Sequence, residues 1–289
     1  MNQQLKRTFI LGEEWLYYKI YCGNFSADSI LTESILPIVT KLLRKKLIKQ
    51  WFFIRYNDPK NHLRLRFQIN DPNNIQKTIL LIQDHFRELI EKDVVNDIVT
   101  ATYKREIERY GETTIELVEK LFYHQSKKTL KLICNTTTQD DEIARIFASL
   151  QMIDDLLEHF QISLEDRIRF VKSVEQAYKT EHAIEKENNK KLDQLYRTYR
   201  NEIGLYLQEK KEPFYLQGLI KLFRTTPKEI AIINEIINKK PSIPLENIIS
   251  SIIHMNINRI FRSKQRQYEM LCYDSVSYTH LTLPTIYSV

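Results

Sequence analysis

The stretch WFFIRYNDPKNHLRLRF at residues 51–67 carries the clearest fold signal in the chain. Its aromatic start at 51–56 favours a β-strand. The segment HLRLRFQI at 62–69 favours a second strand, because polar and apolar residues alternate there. Between them lies NDPKN at 57–61, in which Asn, Asp and Pro are typical turn residues. The stretch therefore predicts a β-hairpin.

The segments on either side of the hairpin extend the pattern to a β-α-β-β-α-β order. Apolar residues recur at helical spacing before and after it, and Asp71 or Asn73 can cap the second of these helices. The order is typical of a ferredoxin-like split βαβ sheet, antiparallel in part, with two helices on one face and the other face open. The predicted flanking elements are a strand at 15–22, a helix at 27–49, a helix from 71 to 91 and a strand from 98 to 104.

The chain beyond residue 113 has helical periodicity and no convincing strand before Tyr273. The predicted fold class is thus α+β. A ferredoxin-like α+β portion at 1–111 is followed by a mostly α-helical portion at 112–274, and the two pack into one combined domain. The predicted helices lie at 114–123, 140–160, 163–210 with one or more breaks, 215–223, 227–238 and 244–262.

The last residues of the chain, 275–289, contain no Lys, Arg, Asp or Glu, although 28% of the whole chain is charged. The segment VSYTHLTLPT at 276–285 also resembles the translation of a transposon adapter used in sequencing libraries. We therefore interpret 275–289 as an artefact of sequencing or cloning, leave it out of the fold prediction, and expect the native C-terminus beyond Asp274 to be lost.

The charge balance is mildly basic, with 43 Lys and Arg against 37 Asp and Glu, a formal net charge of +6. The densest basic run is RKKLIK at 44–49, which falls in a predicted helix and is interpreted as a solvated face. Because no aromatic residues alternate with these cations, the run does not resemble a nucleic-acid site. No direct nucleic-acid partner is predicted.

Glycine and cysteine usage excludes several classes of site. The five glycines are too scattered to form a phosphate-binding loop or a dinucleotide turn. Cys22, Cys134 and Cys272 lack redox or zinc spacing and are predicted to be buried free thiols in a reducing compartment. With no long apolar run and no signal-peptide pattern, the prediction is a cytoplasmic protein without a membrane span.

Three polar residues alternate with apolar ones in the second hairpin strand: His62, Arg64 and Arg66. Period two places them on one face of the sheet, where two arginines could bind a carboxylate or a developing oxyanion. Arg55 in the neighbouring strand shares this face only if the strand register allows it. An ordinary solvent-facing strand would also explain the pattern.

Two further segments combine polar side chains at close spacing. YKREIERYG at 103–111 places Glu106 and Arg109 where the last strand ends, although ion pairing alone would explain them. In the last predicted helix, His254 and Asn258 lie on a polar face, as solvated residues commonly do. No histidine has the spacing of a metal site.

Four segments together resemble the C-terminal, glutamate-eliminating domain of class I lantibiotic dehydratases. The same domain occurs as stand-alone thiopeptide-type bacteriocin biosynthesis proteins, and the length of this chain suits that form. The resemblance covers residues 13 to 273 in motif order. Its segments are WLYYKIYCG at 15–23, WFFIRYNDPKNHLRLRF at 51–67, YKREIERYG at 103–111 and SIIHMNINRIF at 251–261.

The resemblance implies a reaction and a set of catalytic residues. In the family, one domain esterifies Ser or Thr of a precursor peptide with glutamate from glutamyl-tRNA, and this domain expels the glutamate to leave a dehydroamino acid. The family's elimination residues fall on Arg66, Glu106, Arg109 and His254. Substrate-binding candidates are Arg64, Arg55, His62 and Asn258. Neither a metal nor an organic cofactor is implied.

The chemistry explains those residue types. Elimination removes the Cα proton and expels a carboxylate, so it needs a base and positive charge beside the oxygen atoms that become anionic. Imidazole titrates near neutral pH, which suits His254 as base or acid. Arg66 and Arg109 supply permanent cations, and Glu106 orients an arginine or handles a proton.

Two alternatives stay open. Stand-alone relatives in thiopeptide pathways join two dehydroalanines into a pyridine ring, and a non-catalytic subunit could bind the leader peptide for a split dehydratase. Gln125 keeps the second alternative open, because relatives have an acidic residue before the serine in FYHQS at 122–126. The implied partners are a glutamylated precursor peptide and a separate glutamylating subunit. The sequence leaves homodimer formation and the product class open.

Overall fold

The computed structural model describes residues 5–136, 141–163, 165–170, 172–173, 190–216 and 218–282. The chain divides into two compact units. The first comprises Met1–Cys134 and Glu235–Ser263, and the second comprises Asn135–Asn234 and Lys264–Val289. The predicted α+β class is confirmed, because the sheets lie in the N-terminal half and the rest is mostly helical.

A four-stranded antiparallel sheet forms the centre of the first unit. In spatial order its strands are β3 (Ile48–Tyr56), β4 (His62–Ile69), β2 (Trp15–Tyr21) and β5 (Asp97–Thr100), and each neighbouring pair is antiparallel. The hairpin of β3 and β4 is the one predicted, extended at its start by three residues. A ferredoxin-like topology stays a prediction.

The predicted fourth strand at 98–104 is wrong as one continuous element. Its first part, β5, pairs with β2, whereas β6 (Tyr103–Lys104) pairs with β1 (Thr8–Phe9) in a separate two-stranded sheet. The chain changes sheets because the ring of Tyr103 is buried against Phe9, with 6.0 Å between ring centroids.

One face of the main sheet packs on helices, as predicted. Here Leu63, Leu65 and Phe67 of β4 join a buried core that the helices complete. The basic run at 44–49 is not helical as predicted, because the helix ends at Arg44 and Lys46 adopts a positive φ of 53° before β3 begins. The helical elements between the strands are α1 Ser26–Ser29, a π-helical turn Ile30–Ile35, α2 Leu36–Arg44, a 3-10 turn Pro72–Asn74 and α3 Ile75–Glu91.

The opposite face of the sheet is not left open, which corrects the prediction. Phe52 is buried there against Phe122 of α5 (Ile115–Asn135), with ring centroids 5.5 Å apart. The edge of β3 is also covered. The N–H of Phe53 donates to Ser126 Oγ at 3.2 Å, and its carbonyl accepts from Arg259 Nε of α9 (Leu245–Ile260) at 2.9 Å. An exposed edge strand leaves such groups unpaired, so these two contacts hold the later helices on the sheet.

The remaining helices agree with the sequence patterns to different degrees. The predicted helix at 227–238 has those bounds, that at 114–123 continues to 135, and that at 215–223 is replaced by two 3-10 turns. Part of 163–210 lies outside the described residues, although 165–170 are helical. The other elements are α4 Ile107–Tyr110, α6 Asp141–His159, α7 Lys190–Glu209, α8 Pro227–Asn238, α10 Gln265–Thr282 and 3-10 turns at Phe214–Leu216 and Ile220–Phe223.

The C-terminal residues and the cysteines complete the comparison with prediction. Helix α10 includes Ser275 and Val276, both 1% exposed, while 283–289 lie outside the described residues. The artefact interpretation of 275–289 stays a prediction. All three cysteines are free, but Cys134 is exposed rather than buried as predicted. No described helix is long and apolar enough to cross a membrane.

A buried ion pair fixes α5 beside the small sheet. Arg105 and Glu119 are 2% and 1% exposed, and two parallel contacts of 2.8 Å join the guanidinium to the carboxylate. The hydroxyl of Tyr103 also donates to Glu119 at 2.7 Å. Because α5 carries the side chains that cover the sheet, this pair supports the whole second face.

We expect Glu119→Gln to lower the free energy of unfolding by about 3–5 kcal/mol, because it leaves the buried Arg105 charge without its main partner. Glu116 is the matched control. It also contacts Arg105, at 3.1 Å, but is 61% exposed, so Glu116→Gln should cost less than about 1 kcal/mol. Denaturant unfolding of both variants measures the difference, and equal losses would contradict this account of α5.

Candidate active site

Arg66 lies inside an aromatic cage on the second face of the sheet. Its guanidinium carbon is 4.4 Å from the ring centroid of Tyr17, 4.9 Å from that of Tyr103 and 5.2 Å from that of Phe52. Strand register explains the cage, since Tyr17 and Phe52 are the direct neighbours of Arg66 in β2 and β3. The side chain is buried, and among the described residues its Nε and Nη1 have no hydrogen-bond partner. An unsatisfied buried donor costs about 1–3 kcal/mol, so these two atoms are candidates for binding a ligand.

Tyr110 and Arg259 lie next to this cage. The ring of Phe122 is 5.6 Å from the Tyr110 ring and 4.3 Å from the Arg259 guanidinium carbon. Both residues are buried, and neither the hydroxyl of Tyr110 nor Nη2 of Arg259 has a partner within the described part of the chain. The other nitrogens of Arg259 bind neutral oxygens only: Nε donates to Phe53 and Nη1 to Asn256 Oδ1 at 3.2 Å.

The charges of four residues affect the pKa of Tyr110. Burial raises the pKa of Tyr110 above its ordinary value, the charge of Glu106 raises it further, and the charges of Arg109, Arg259 and Arg66 lower it. Burial likewise lowers the pKa of Arg259 to about 9, opposed by Tyr110 and reinforced by Arg66. Arg66, Glu106 and Arg109 therefore all act electrostatically on Tyr110.

Glu106 and Arg109 form the exposed part of this group. Their side chains are 53% and 44% exposed and make an ion pair of 3.0 Å across the start of α4. Gly111 ends α4 with φ 77° and ψ 150°, a conformation that only glycine adopts readily. This sharp end of the helix fixes Tyr110 and Arg109 relative to the sheet.

His254 is carried by α9, the helix that packs against α4 and β3. It is half-buried, and its Nε2 lies 3.1 Å from Asn258 Nδ2. If the amide donates, Nε2 carries the imidazole lone pair, which is the form required of a base. Spacing of four residues on one helix face is sufficient to explain this pair.

Arg64 and His62 form a separate cluster further along β4. Arg64 Nε donates to His62 Nε2 at 3.1 Å, and its guanidinium carbon lies 3.4 Å from the ring centroid of Tyr56. His62 is buried, and its Nδ1 is 2.7 Å from the carbonyl of Lys60. These contacts require a neutral imidazole that donates from Nδ1 and accepts at Nε2.

The strand register resolves the position of Arg55. Arg55 is opposite Leu63 in β4, so it lies on the other face from Arg64 and Arg66. There it makes a buried ion pair with Asp28, and its Nε donates to the carbonyl of Arg259 at 2.8 Å. These are the contacts of a structural residue and give no support to the predicted substrate contact.

The His62 cluster predicts a pH dependence of stability. Burial and the charges of Arg64 and Lys19 lower the pKa of His62, opposed by the Lys60 carbonyl and by Asp58. Because the pKa of His62 is lower in the folded protein, its neutral imidazole contributes to the free energy of unfolding. This contribution is fully present above the unfolded pKa of about 6.5 and is lost as the pH falls below it. We expect acidification to reduce the melting temperature of the wild type more than that of His62→Gln. Equal reductions in thermal melts at several pH values would contradict the assignment.

One acidic group among the described residues has the spacing of a metal site: Asp154, Asp155 and Glu158 of α6. Asp154 already pairs with Lys210, and Asp155 accepts from the N–H of Thr225 at 2.6 Å. These partners account for two of the three carboxylates without an ion.

Sequence reasoning missed Tyr110 and Arg259, although both lie in segments that it singled out, YKREIERYG and SIIHMNINRIF. The local pattern gave no sign of them. Tyr110 is the last residue of the short helix α4, and Arg259 falls on a helix between apolar residues. Only the packing of α4, α5 and α9 shows that both are buried against Phe122, whose ring contacts Phe52 of the Arg66 cage.

Comparison with known proteins supports the resemblance inferred from the motifs. A family model described as lantibiotic biosynthesis dehydratase C-term matches residues 15–281. The subtilin biosynthesis protein SpaB of Bacillus subtilis is 27% identical over 264 residues, which cover 90% of this chain and 24% of SpaB. The nisin biosynthesis protein NisB of Lactococcus lactis subsp. lactis is 33% identical over 127 residues, covering 42% of this chain and 12% of NisB.

Two solved structures share the fold. The tRNA-dependent lantibiotic dehydratase MibB from Microbispora sp. 107891 has a TM-score of 0.67 at 17% identity, covering 92% of this chain and 28% of MibB. TbtD, a pyridine synthase from thiomuracin biosynthesis, has a TM-score of 0.57 at 11% identity, covering 93% of this chain and 99% of TbtD. This chain spans about a quarter of the length of SpaB and of MibB. On the family match across most of its length, the chain belongs to the lantibiotic dehydratase C-terminal domain family.

Proposed function

We propose that this chain is a lyase that eliminates glutamate from glutamylated Ser or Thr of a ribosomally made precursor peptide. The product is dehydroalanine or dehydrobutyrine. The observation that carries the proposal is the buried guanidinium of Arg66, two of whose donors have no partner among the described residues. Its charge acts on Tyr110 together with the charges of Glu106 and Arg109. In a chain of this family, that arrangement suits an anion formed during elimination.

The reaction has a simple electron balance. A base removes the Cα proton, the electron pair forms the Cα=Cβ double bond, and the Cβ–O bond breaks so that glutamate leaves as a carboxylate. His254 is proposed as the base, and the substrate then takes the place of the Asn258 amide at Nε2. Asn258 orients the imidazole in the free protein.

The cations take the negative charge that develops. Arg66 lies in a water-poor cage, where a fixed charge stabilises an oxyanion more strongly than it would in water. Arg109 serves the more exposed end of the substrate, and Glu106 holds the Arg109 guanidinium in place. Arg64 and His62 are proposed as more distant substrate contacts.

The proposed partners follow from the reaction. A separate glutamylating subunit must supply the ester, and a precursor peptide must carry it. The net charge of +6 favours association with an acidic leader peptide, which increases the encounter rate at low salt.

Mass spectrometry with two peptides tests the proposal. One peptide carries a single glutamyl-serine, and the other carries two dehydroalanines that a pyridine synthase could join. We expect loss of glutamate from the first and no change in the second. The fold and near-complete coverage of TbtD make the second peptide the relevant alternative, and pyridine formation would favour that function. Binding of both peptides without conversion would favour a leader-binding subunit.

A further inference from the structure

Five arginines are buried in the described part of the chain, and two of them differ from the rest. Arg55, Arg105 and Arg145 each pair with a buried carboxylate: Asp28, Glu119 and Asp141. Arg66 and Arg259 have no carboxylate partner among the described residues. Arg66 contacts aromatic rings, and Arg259 binds neutral oxygens. Buried cations are normally paired, so these two lack an anion.

The two unpaired guanidiniums are linked through two aromatic rings that contact each other. The guanidinium of Arg66 lies over the ring of Phe52, and that of Arg259 lies over the ring of Phe122. The centroids of these two rings are 5.5 Å apart. Their charges also act on one another, since Arg66 lowers the pKa of Arg259 in addition to the effect of burial. Two buried positive charges repel each other, and a bound anion would offset this repulsion.

Tyr110 adds a neutral donor to the same neighbourhood. Its ring packs on Phe122, which also carries Arg259, and its hydroxyl has no partner in the described residues. Buried tyrosine hydroxyls usually have a hydrogen-bond partner. The unsatisfied donors of this group are therefore Arg66 Nε and Nη1, Arg259 Nη2 and the Tyr110 hydroxyl.

We propose that Arg259 and Tyr110 complete, with Arg66, a buried carboxylate-binding site that receives a carboxylate of the released glutamate. Guanidinium groups suit a carboxylate because their donors match its two oxygens. The charge of two cations also exceeds that of one carboxylate, which favours retention of the anion. The identification of the ligand as glutamate rests on the proposed elimination, whereas the carboxylate site rests on the unpaired donors.

Tyr110→Phe is the clearest test, because it removes only a hydroxyl without a partner in the described part of the chain and keeps the ring that packs on Phe122. Titration calorimetry measures binding of free L-glutamate to the full chain, with neutral glutaramide as the uncharged probe. We expect glutamate to bind the wild type, glutaramide not to bind, and Tyr110→Phe to weaken glutamate binding by about tenfold or more. Tyr18→Phe is the matched control, since Tyr18 is also buried but belongs to the core on the face of the sheet opposite Arg66.

A second variant covers the guanidinium. Arg259→Lys keeps the charge but loses the planar donor group, and it should weaken glutamate binding by at least as much as Tyr110→Phe. Thermal melts with and without glutamate then separate a folding defect from a binding defect, because a folded variant without the site gains no stability from the ligand.

The outcomes distinguish this site from the proposed reaction. Glutamate binding that depends on Tyr110, in a protein that eliminates no glutamate from the peptide, would support the site and overturn the reaction. Elimination by a protein in which Tyr110→Phe and Arg259→Lys bind glutamate as the wild type does would overturn the site. Absence of glutamate binding to the wild type would also overturn it.

Discussion

Replacement of His254 by alanine is expected to slow glutamate elimination by about 10²–10⁴-fold, the usual contribution of a positioned general base. The side chain is half-buried on α9 and does not belong to the fully buried core, so the fold should persist. Single-turnover elimination from a glutamylated peptide measures the rate directly.

The control for His254 is a histidine of similar exposure. His85 is also half-buried but lies on α3, which packs on the other face of the sheet. His85→Ala should eliminate at the wild-type rate. A His254→Ala protein that is folded and turns over like His85→Ala would remove the imidazole from the mechanism.

Replacement of Arg66 by methionine is expected to lower the elimination rate by about 10²–10³-fold, because it removes the buried charge that stabilises the oxyanion. Methionine fills the aromatic cage and needs no hydrogen-bond partner, so thermal stability should be kept or increased. Arg66→Lys keeps the charge without the planar fork and should fall between the two rates.

The combination of rate and stability makes the Arg66 test informative. A residue that serves only to hold the sheet together would lose stability and activity in parallel. The account predicts the opposite, a stable protein with slow chemistry. Normal turnover by folded Arg66→Met would contradict the proposed role.

The hairpin could be predicted from sequence because its signals are local. Alternation in HLRLRFQI and the turn residues of NDPKN need no distant partner, and the observed register keeps Arg66 on the predicted face. The end of the helix at Arg44 could not be predicted, because nothing in this run of basic residues indicates that Lys46 adopts a left-handed backbone conformation.

The covering of the sheet could not be predicted, because it depends on contacts between distant parts of the chain. Ser126 and Arg259 bind the backbone of Phe53 across 73 and 206 residues of sequence. Local patterns also cannot separate a paired buried arginine from an unpaired one. Arg55 and Arg66 look alike in the sequence, yet one pairs with Asp28 and the other lies in the aromatic cage.

The same folding pattern explains why the proposed chemistry lies where it does. The sheet supplies the rigid Arg66, the turn that ends at Gly111 supplies Glu106, Arg109 and Tyr110, and α9 supplies His254. Catalytic groups need fixed relative positions, and elements packed on a sheet provide them better than free loops do.

The measurement that tests the central claim most directly is a single-turnover assay on a precursor peptide with one glutamyl-serine. Released glutamate and the peptide mass are quantified together. The account predicts equal amounts of glutamate and dehydroalanine peptide with the wild type, and neither with His254→Ala. Glutamate release that leaves serine would indicate ester hydrolysis and contradict elimination, as would an intact ester on a peptide that the folded wild type binds.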